Sequence, residues 1–237
     1  MSAEDGIRTG HGEGCISAII PTLNAAQTLA QPLTALSTSP LVKEVIVVDG
    51  GSSDETNAIA RAAGMCVIEA PRGRGVQLAA GAAAASADWL LFLHADCRLA
   101  AGWDVAVGAF VAAPQAAGRA GYFDFALDDF APAARRVERI VAWRCRVLGL
   151  PYGDQGLLVS RTLYDAVGGF APLPLMEDVD FVRRLGRRRL VSIGGGCLAS
   201  PRRYRRDGYW RRPLRNILCL GLYFAGVPPE RIARLYG

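Results

Sequence analysis

A chain of 237 residues, 51% of them hydrophobic, can bury one sizeable core but hardly two independent domains. Its net charge of +5 is uneven, since residues 1–120 hold 7 basic and 11 acidic side chains (−4) and residues 121–237 hold 20 and 11 (+9), so we expect an anionic partner for the second half. The six cysteines form no C-x-x-C pair and do not cluster with the two histidines, which argues against a zinc site and for reduced thiols in a cytoplasmic protein.

Apolar strands alternate with helical segments over the first hundred residues, as in βαβ units around a parallel sheet. The pattern predicts strands at 15–20, 43–48, 65–69 and 89–93, and helices at 25–36, 55–63 and 76–87. Further on it predicts helices at 100–113, 132–148 and 177–185 and strands at 121–127 and 156–160. We therefore expect an α/β fold with a mainly parallel sheet flanked by helices. Residues 1–14 are predicted to be a flexible tail, 15–199 one domain, and 200–237 a basic, helical extension packed on it.

The second predicted strand runs into an acidic, glycine-rich turn, VVDGGSSDET at residues 47–56. Asp49 ends the strand, at the sheet edge where open α/β sheets bind ligands. Ser52 and Glu55 are spaced as a capping box that would start the next helix. Taken alone, this segment fits an ordinary strand-to-helix connection as well as a ligand-binding loop.

A second carboxylate, Asp96, follows the predicted strand at 89–93. Asp49 and Asp96 then lie on the same rim of the sheet, where a nucleotide could place its base or ribose near Asp49 and its diphosphate near Asp96. A carboxylate repels a diphosphate unless a divalent cation joins them. Mg²⁺ or Mn²⁺ commonly binds through one or two carboxylates and phosphate oxygens.

Five segments, in order and spacing, resemble the family 2 glycosyltransferases, whose nucleotide-diphosphosugar transferase fold is called GT-A. They are IIPTLN (19–24), VVDGGSSD (47–54), GRG through Gly81 (73–81), LFLHAD (91–96), and GGF (168–170) followed by MEDVD (176–180). More narrowly, PRGRG (71–75), HAD (94–96) and PERIARLY (229–236) resemble a soluble bacterial subgroup associated with arsenosugar biosynthesis.

The resemblance implies roles for the donor side of the site. Pro21, Asn24 and Asp49 would line the pocket of the nucleotide base, usually uracil, and Arg72 or Arg74 would approach the base or the diphosphate.

Asp96 matches the last aspartate of the family's D-x-D motif and would bind the metal. His94 stands where the first aspartate is usual, and a neutral imidazole keeps a hydrogen bond but not the charge. Two further departures are Gly50, where a second aspartate is frequent, and Ala79, where asparagine is usual.

Glu177 and Asp178 match the family's acidic pair, of which the second member is the expected catalytic base. Inversion needs one carboxylate to accept the acceptor hydroxyl's proton as the oxygen attacks the anomeric carbon. Alternatively, Glu177, Asp178 and Asp180 simply favour a helix amino terminus. The upstream motifs favour the catalytic role for the first two and a structural role for Asp180.

The turn at Gly153, Asp154 and Gln155 is interpreted either as an acceptor or donor-sugar contact or as a plain turn. Downstream, a basic loop could close over the leaving diphosphate; its candidates are Arg202, Arg203, Arg205 and Arg206. The aromatic residues among these arginines would also suit nucleic acid or anionic lipid headgroups. The apolar stretch at 214–227 is too short to span a bilayer and would serve core or dimer packing, or an interfacial anchor.

Together these features predict an inverting transfer of one sugar from a nucleotide-diphosphate sugar, with UDP expected, to a hydroxyl acceptor, assisted by Mn²⁺ or Mg²⁺. Contact with the inner face of the membrane through the basic segment and a homodimer are both compatible with it, and no nucleic acid partner is expected.

Two alternatives come from other classes. A sugar-phosphate nucleotidyltransferase should carry a glycine-rich basic loop after the first strand, which residues 21–30 lack. A non-catalytic module for nucleotide sugars or membrane surfaces is favoured by His94. A Rossmann dehydrogenase is disfavoured because no G-x-G-x-x-G follows the first strand.

Overall fold

The computed structural model describes residues 15–200, 204 and 208–236. Its strands are β1 (Ile16–Thr22), β2 (Val42–Asp49), β3 (Cys66–Glu69), β4 (Trp89–Phe92), β5 (Cys97–Leu99), β6 (Ala120–Leu127), β7 (Leu157–Ser160) and β8 (Leu190–Ala199). The helices are α1 (Ala30–Ser37), α2 (Thr56–Ala62), α3 (Arg74–Ala84), α4 (Trp103–Val111), α5 (Pro132–Leu148), α6 (Arg161–Ala166), α7 (Glu177–Leu185), α8 (Arg211–Phe224) and α9 (Pro229–Tyr236).

One mixed sheet joins these strands in the order β3-β2-β1-β4-β7-β6-β8-β5. Strands β3, β2, β1 and β4 are parallel, as βαβ connections require, and β7 then pairs antiparallel with both β4 and β6. Strands β6 and β8 are parallel, and β5 closes the sheet antiparallel to β8. The predicted α/β class is confirmed, and each antiparallel pair includes β7 or β8, strands from the second half of the chain, where the sequence loses its regular alternation.

Successive side chains of the central strands supply two cores on opposite faces of the sheet. The front core contains Ile19 and Phe92 and is covered by α3, α5, α6 and α7. The back core contains Ile20 and Leu91 and is covered by α1, α2 and α4. Helix α3 approaches very closely, because a Cβ at Gly81 would lie 2.4 Å from Ile19 Cγ2.

A third apolar cluster attaches the carboxyl-terminal helices to the rest of the chain. Cys219 of α8 and Ile232 of α9 are buried against Val179 and Val182 of α7 and against Leu150. Among the described residues, no helix is long and apolar enough to cross a membrane.

The first helix begins at Ala30 rather than at the predicted residue 25, because the preceding turn is tied to the next loop. The backbone N–H of Ala25 donates to Thr56 Oγ1 at 2.8 Å, and that of Ala26 donates to Asp54 Oδ2 at 3.1 Å. The predicted capping box is wrong: Glu55 caps α2 without a side-chain hydrogen bond, whereas Asp54 Oδ1 accepts from Thr56 N at 3.0 Å.

The expectation of reduced thiols is wrong for two cysteines. Cys97 of β5 and Cys197 of β8 are joined as a disulfide, with Cα atoms 6.0 Å apart. The two residues are separated by 100 positions and meet only because β5 folds back on β8, a pairing that spacing alone could not predict. The remaining described cysteines are free: Cys15, Cys66, Cys145 and Cys219.

Candidate functional site

Two adjoining recesses open at the carboxyl ends of β1 and β4. The outer cleft is the wide, open one, and its wall includes Pro21, Asn24, Asp54, Arg72, Arg74, Gln77, His94 and Asp96. The inner cavity is smaller, and its wall includes Arg74, His94, Asp96, Tyr152, Asp154, Glu177, Asp178 and Asn216. Arg74, His94 and Asp96 belong to both walls, so the predicted donor residues and the acidic pair of α7 meet across these three side chains.

The rim of the outer cleft is formed by two interlocked loops. Asn24, whose φ of 52° lies in the left-handed region that asparagine tolerates, accepts from Ser53 N at 2.9 Å through Oδ1. Its own N–H donates to Ser52 Oγ at 2.9 Å. Asn24 therefore lies in the cleft wall as predicted, and it also fixes the β2–α2 loop.

Asp49 lies inside the β2–α2 loop rather than in the cleft wall. Its carboxylate is 1% exposed and accepts from the backbone N–H groups of Gly51 (3.1 Å) and Ser52 (2.8 Å) and from Asn57 Nδ2 (3.1 Å). Thr22 Oγ1 (3.1 Å) and Ser52 Oγ (2.5 Å) donate to its other oxygen. Both carboxylate oxygens thus accept hydrogen bonds from the protein itself. Asp54, five residues further along the chain, lines the cleft instead.

The hydrogen bonds outweigh burial in setting the charge of Asp49. Burial alone would raise the pKa of this carboxyl, but donors from Ser52, Asn57 and Thr22 hold it below its ordinary value. Asp49 is accordingly an anion at neutral pH, and it organises the loop.

Gln77 is a site residue that the sequence motifs did not single out. Its amide Nε2 is buried and donates at 2.8 Å both to Thr22 O and to Val48 O, at the ends of β1 and β2. A Cβ at Gly50 would lie 3.1 Å from Gln77 Nε2, so Gln77 occupies the space beside Gly50. The sequence did offer a signal for this residue: Gln77 is a polar side chain one turn into α3, the helix that begins at Arg74 of the GRG motif.

Arg74 connects the outer cleft to the acidic pair. It is the first residue of α3, and its Nε lies 3.3 Å from Glu177 Oε1. Its Nη1 lies 3.5 Å from His94 Nε2. The amino terminus of α3 can approach α7 this closely because Gly75 packs directly on the backbone of residues 171–173, where a Cβ would collide with Ala171 O. Arg72, by comparison, is exposed on the outer cleft.

Glu177 is buried at the start of α7, after Met176, which adopts a left-handed φ of 67°. Its side chain is 1% exposed, and within the described structure its Oε2 has no hydrogen-bond partner. Burial raises the pKa of Glu177 to about 7; Arg74 opposes that shift and Asp178 adds to it. Near neutral pH, Glu177 is therefore protonated in a large fraction of the molecules, whereas an ordinary surface glutamate is ionised.

Asp178 faces the inner cavity and is oriented by the opposite wall. Its Oδ2 accepts from Gly153 N at 2.8 Å, and its Oδ1 accepts from Val179 N at 2.7 Å. Gly153 also lies against His94, since a Cβ there would be 2.6 Å from His94 Nε2. The Gly153 turn therefore contacts the acidic pair and the HAD motif together.

The three residues of that turn have different environments. Asp154 lines the inner cavity with Tyr152, whose ring lies 3.3 Å below the guanidinium of Arg144. Gln155 is buried away from the cavity: its Nε2 donates to Phe123 O at 3.1 Å and its Oε1 accepts from Arg144 Nη2 at 3.1 Å. A substrate contact by Gln155 is incompatible with this burial, because its amide already serves the core.

Other predicted residues fall outside the two recesses. Asp180 is paired with Arg184, whose Nη2 lies 2.6 Å from Asp180 Oδ2, in agreement with a structural role. Ala79 packs half-buried against the front core. The diphosphate-loop candidates Arg202, Arg203, Arg205 and Arg206 lie outside the described residues.

The donor set around Asp96 fits a divalent cation that is completed by a ligand. Asp96 lies in the connection between β4 and β5, on the boundary of both recesses, with His94 two residues before it. In the part of the chain that the structure describes, no three His, Cys, Asp or Glu side chains are grouped as a metal cage. One carboxylate with phosphate and water oxygens is a usual arrangement for Mg²⁺, and Asp96 could hold the cation in this way.

Comparison with known proteins identifies the family. The sequence model of the family described as glycosyl transferase family 2 matches residues 17–168. No curated protein matches the chain significantly.

Solved structures of glucosyl-3-phosphoglycerate synthase from Mycobacterium tuberculosis are similar to this chain. The complex with Mn²⁺, UDP and glucosyl-3-phosphoglycerate is 24% identical with a TM-score of 0.60, over 92% of this chain and 81% of that one. The complex with Mg²⁺ and UDP is 24% identical with a TM-score of 0.62, over 92% of this chain and 81% of that one. A complex with UDP is 25% identical with a TM-score of 0.54, over 77% of this chain and 71% of that one. These similarities confirm the predicted GT-A fold.

Proposed function

Because the chain belongs to glycosyltransferase family 2, we propose that it transfers a single sugar, with inversion, from a UDP-linked donor to a hydroxyl acceptor. The observation that carries this proposal is the shared boundary of the two recesses. Asp96 and Arg74 line both the outer cleft and the inner cavity, and Asp178 faces the inner cavity beside them. A donor in the cleft and an acceptor in the cavity would then meet next to a fixed carboxylate.

The donor nucleotide would occupy the outer cleft. Pro21 and Asn24 offer the wall for the base, and Arg72 and Arg74 offer guanidinium groups for the diphosphate, a geometry that suits forked contacts. A similar protein was crystallised with UDP, which supports a uridine nucleotide here. Asp49 would act at one remove, by holding the loop that carries Ser52 and Asp54.

Asp96 would hold a divalent metal together with the diphosphate, and His94 would contribute a hydrogen bond rather than a charge. Structures of similar proteins contain Mn²⁺ or Mg²⁺ with UDP, which supports a metal at this position. When bound, the metal supplies positive charge to the leaving diphosphate. Arg74 is a second positive group at the same boundary, and Glu177 fixes its orientation.

Asp178 would act as the base. The acceptor oxygen attacks the anomeric carbon from the face opposite the nucleotide, the bond from that carbon to the diphosphate oxygen breaks, and the hydroxyl proton passes to the Asp178 carboxylate. Hydrogen bonds from Gly153 N and Val179 N hold the carboxylate in place before the acceptor arrives. Glu177 stays buried behind it and keeps Arg74 in the cleft.

The acceptor would lie between Tyr152, Asp154 and α8, where Asn216 closes the wall. Gly153 and Asp154 remain proposed acceptor or sugar contacts, whereas Gln155 is proposed as a core support. The subgroup associated with arsenosugar biosynthesis, and the division into a domain at 15–199 with an extension at 200–237, are retained as proposals.

A nucleotide-release assay tests this function. The protein is incubated with UDP-, GDP- and TDP-sugars and a panel of hydroxyl acceptors, with Mn²⁺ or Mg²⁺, and released nucleotide is measured. Acceptor-stimulated release from one UDP-sugar is the expected result. Saturable donor binding by calorimetry with no release for any acceptor would favour the non-catalytic binding module.

A further inference from the structure

Helix α8 presents apolar side chains to solvent as well as to the protein, where Cys219 and Tyr223 join the third apolar cluster. Leu214, Ile217 and Leu218 are exposed at the three- and four-residue spacing of one helix face, and Phe224, seven residues after Ile217, is exposed as well. The opposite face carries Arg215, Asn216 and the fully buried Cys219, and Asn216 lines the inner cavity. A surface helix of a globular protein normally keeps its outward face polar.

Helix α5 continues this apolar surface. Ile140, Trp143 and Val147 are exposed along one of its faces. Ile140 lines a groove between the two helices together with Trp210, Leu214 and Ile217, so the two apolar stripes are contiguous. We name this surface the α5–α8 face; its members are Ile140, Trp143, Trp210, Leu214, Ile217 and Leu218.

Exposed aromatic rings extend the α5–α8 face at one end. Phe130 is 99% exposed, and it follows Asp129, whose Oδ2 accepts a hydrogen bond from Tyr209 Oη at 2.5 Å. Tyr209 precedes Trp210, which is 63% exposed and lies 5.5 Å from the guanidinium carbon of Arg136. Phenylalanine and tryptophan side chains therefore project together from the side of the molecule that carries the apolar stripes.

Exposed arginines border this surface. Within α5 and α8 the one acidic residue is Glu138, whereas Arg144 of α5 and Arg215 of α8 turn inward, onto Tyr152 and Tyr236. Glu138 is already held by Arg135 Nη1 at 2.8 Å and by Leu127 N at 2.7 Å. Arg136, Arg139 and Arg211 are exposed beside the apolar side chains.

We propose that the α5–α8 face binds the surface of a lipid bilayer that contains anionic lipids. An amphipathic helix that lies in the membrane interface combines exposed aromatic and aliphatic side chains with arginine or lysine, and anionic headgroups attract such cations. Contiguous exposed apolar surface rimmed by polar groups is a mark of an interaction site in a soluble chain. The charge of this face complements phosphate headgroups rather than a neutral surface.

A second copy of the chain fits this face less well. In a two-fold contact the same patch meets itself, so Arg136 and Arg139 of one copy would approach the arginines of the other. The helices offer only Glu138 to compensate, and it is already paired within its own chain. Charge repulsion therefore opposes self-association through the α5–α8 face.

Membrane binding through this face would bring the site close to the interface. Leu214 and Ile217 point outward from α8 while Asn216, between them in sequence, lines the inner cavity. The two sides of the helix are separated by one helix diameter, about 10 Å. A bilayer docked on the outer side would thus lie about that far from the inner cavity.

Vesicle co-sedimentation of the full chain tests the proposal. One set of vesicles contains phosphatidylcholine alone and the other equal parts of phosphatidylcholine and phosphatidylglycerol. We expect binding to the second set, weakened by high salt, with a blue shift of tryptophan fluorescence as Trp143 and Trp210 leave water. A parent protein that stays in the supernatant with both sets overturns the proposal, as does equal, salt-independent binding to both.

A pair of matched double variants locates the binding surface. Leu214→Glu with Ile217→Glu should lower the affinity for the anionic vesicles at least about tenfold, because two apolar contacts become charges of the wrong sign. Val105→Glu with Ala109→Glu adds the same two charges on exposed positions of α4, on the opposite side of the sheet, and should keep the parent affinity. The assignment to this face is overturned if both double variants lose the same amount of vesicle affinity, or if both keep the parent affinity. A third outcome would overturn the proposal in favour of a second copy of the chain. In it the parent binds no vesicles but is a dimer in light scattering, and the variant Leu214→Glu with Ile217→Glu is a monomer.

Discussion

Glu177 Oε1 lies 3.3 Å from Arg74 Nε, so the first residue of α7 and the first residue of α3 are joined at the boundary of the two recesses. The second carboxylate oxygen of Glu177 is buried without a partner among the described residues. The ion pair holds the Arg74 guanidinium at the outer cleft, and it requires Glu177 to be buried, which raises the pKa of its carboxyl. Its consequences are measurable in stability as well as in activity.

Glu177 should make stability fall as the pH rises from about 4.5 to about 7. Its pKa is about 7 in the folded chain against an ordinary value of 4.5, so over that interval the unfolded chain has lost a proton that the folded chain still holds, and the stabilisation is gone once the pH passes the folded pKa. Relative to Glu177→Gln, which cannot titrate, the parent should lose about 3 kcal/mol of unfolding free energy across that interval. Urea unfolding of both proteins across the pH series measures this. A difference that does not vary with pH would contradict a buried Glu177 carboxyl with a raised pKa.

Asp49 should act on stability through the loop it organises. Asp49→Asn replaces an acceptor of five hydrogen bonds by an amide that cannot accept them all, and we expect a loss of about 2 kcal/mol in unfolding free energy near neutral pH. Because the folded pKa is below the ordinary 3.8, the stabilisation is present above that pH and is lost as the pH falls through the folded value.

Denaturant unfolding of Asp49→Asn beside Asp165→Asn, an exposed site on α6, checks that prediction. Unchanged stability combined with weakened UDP binding would instead show that Asp49 contacts the base directly.

Asp96 should be required for any metal dependence of donor binding. In the parent, Mn²⁺ is expected to strengthen UDP binding in calorimetry, because the cation offsets the repulsion between Asp96 and the diphosphate. In Asp96→Ala the titrations with and without Mn²⁺ should coincide, whereas Asp165→Ala should behave as the parent. If the parent gave the same UDP titration with and without Mn²⁺, the proposed metal site at Asp96 would be wrong.

His94→Asp offers the complementary gain of function. The substitution restores the first aspartate of the family's motif and adds a negative charge beside Asp96. Mn²⁺-dependent binding of UDP should become stronger than in the parent. A weaker response would mean that the contact of His94 with Arg74, at 3.5 Å, matters more for the donor than charge at this position.

Much of the framework follows from local pattern. Helices α5 and α7 have the predicted bounds because each combines a strong amphipathic period with a clear start, a proline in one and three carboxylates in the other. The order of the motifs also predicts that Asp96 and Asp178 belong to one site, and the structure brings them to a common cavity.

The misplaced details depend on contacts between distant segments. Asp49 and Gln155 are polar residues beside glycines, and nothing local distinguishes a side chain that turns into its own loop or core from one that faces a ligand. Strands β5 and β8 escaped prediction because β5 has three residues and β8 carries three consecutive glycines, so neither shows a clear alternation. The Cys97–Cys197 pairing follows from their contact and was equally hidden.

The base assignment is tested most directly by comparing Asp178→Asn with Asp180→Asn, two isosteric changes in the first turn of α7. Asp178 faces the cavity, whereas Asp180 is paired with Arg184. Steady-state sugar transfer by Asp178→Asn should fall by about 10²–10⁴-fold, the usual contribution of a general base, with UDP affinity unchanged. Asp180→Asn should keep the parent turnover, since a partly exposed ion pair contributes little. Parent-like turnover in Asp178→Asn would contradict the proposed mechanism.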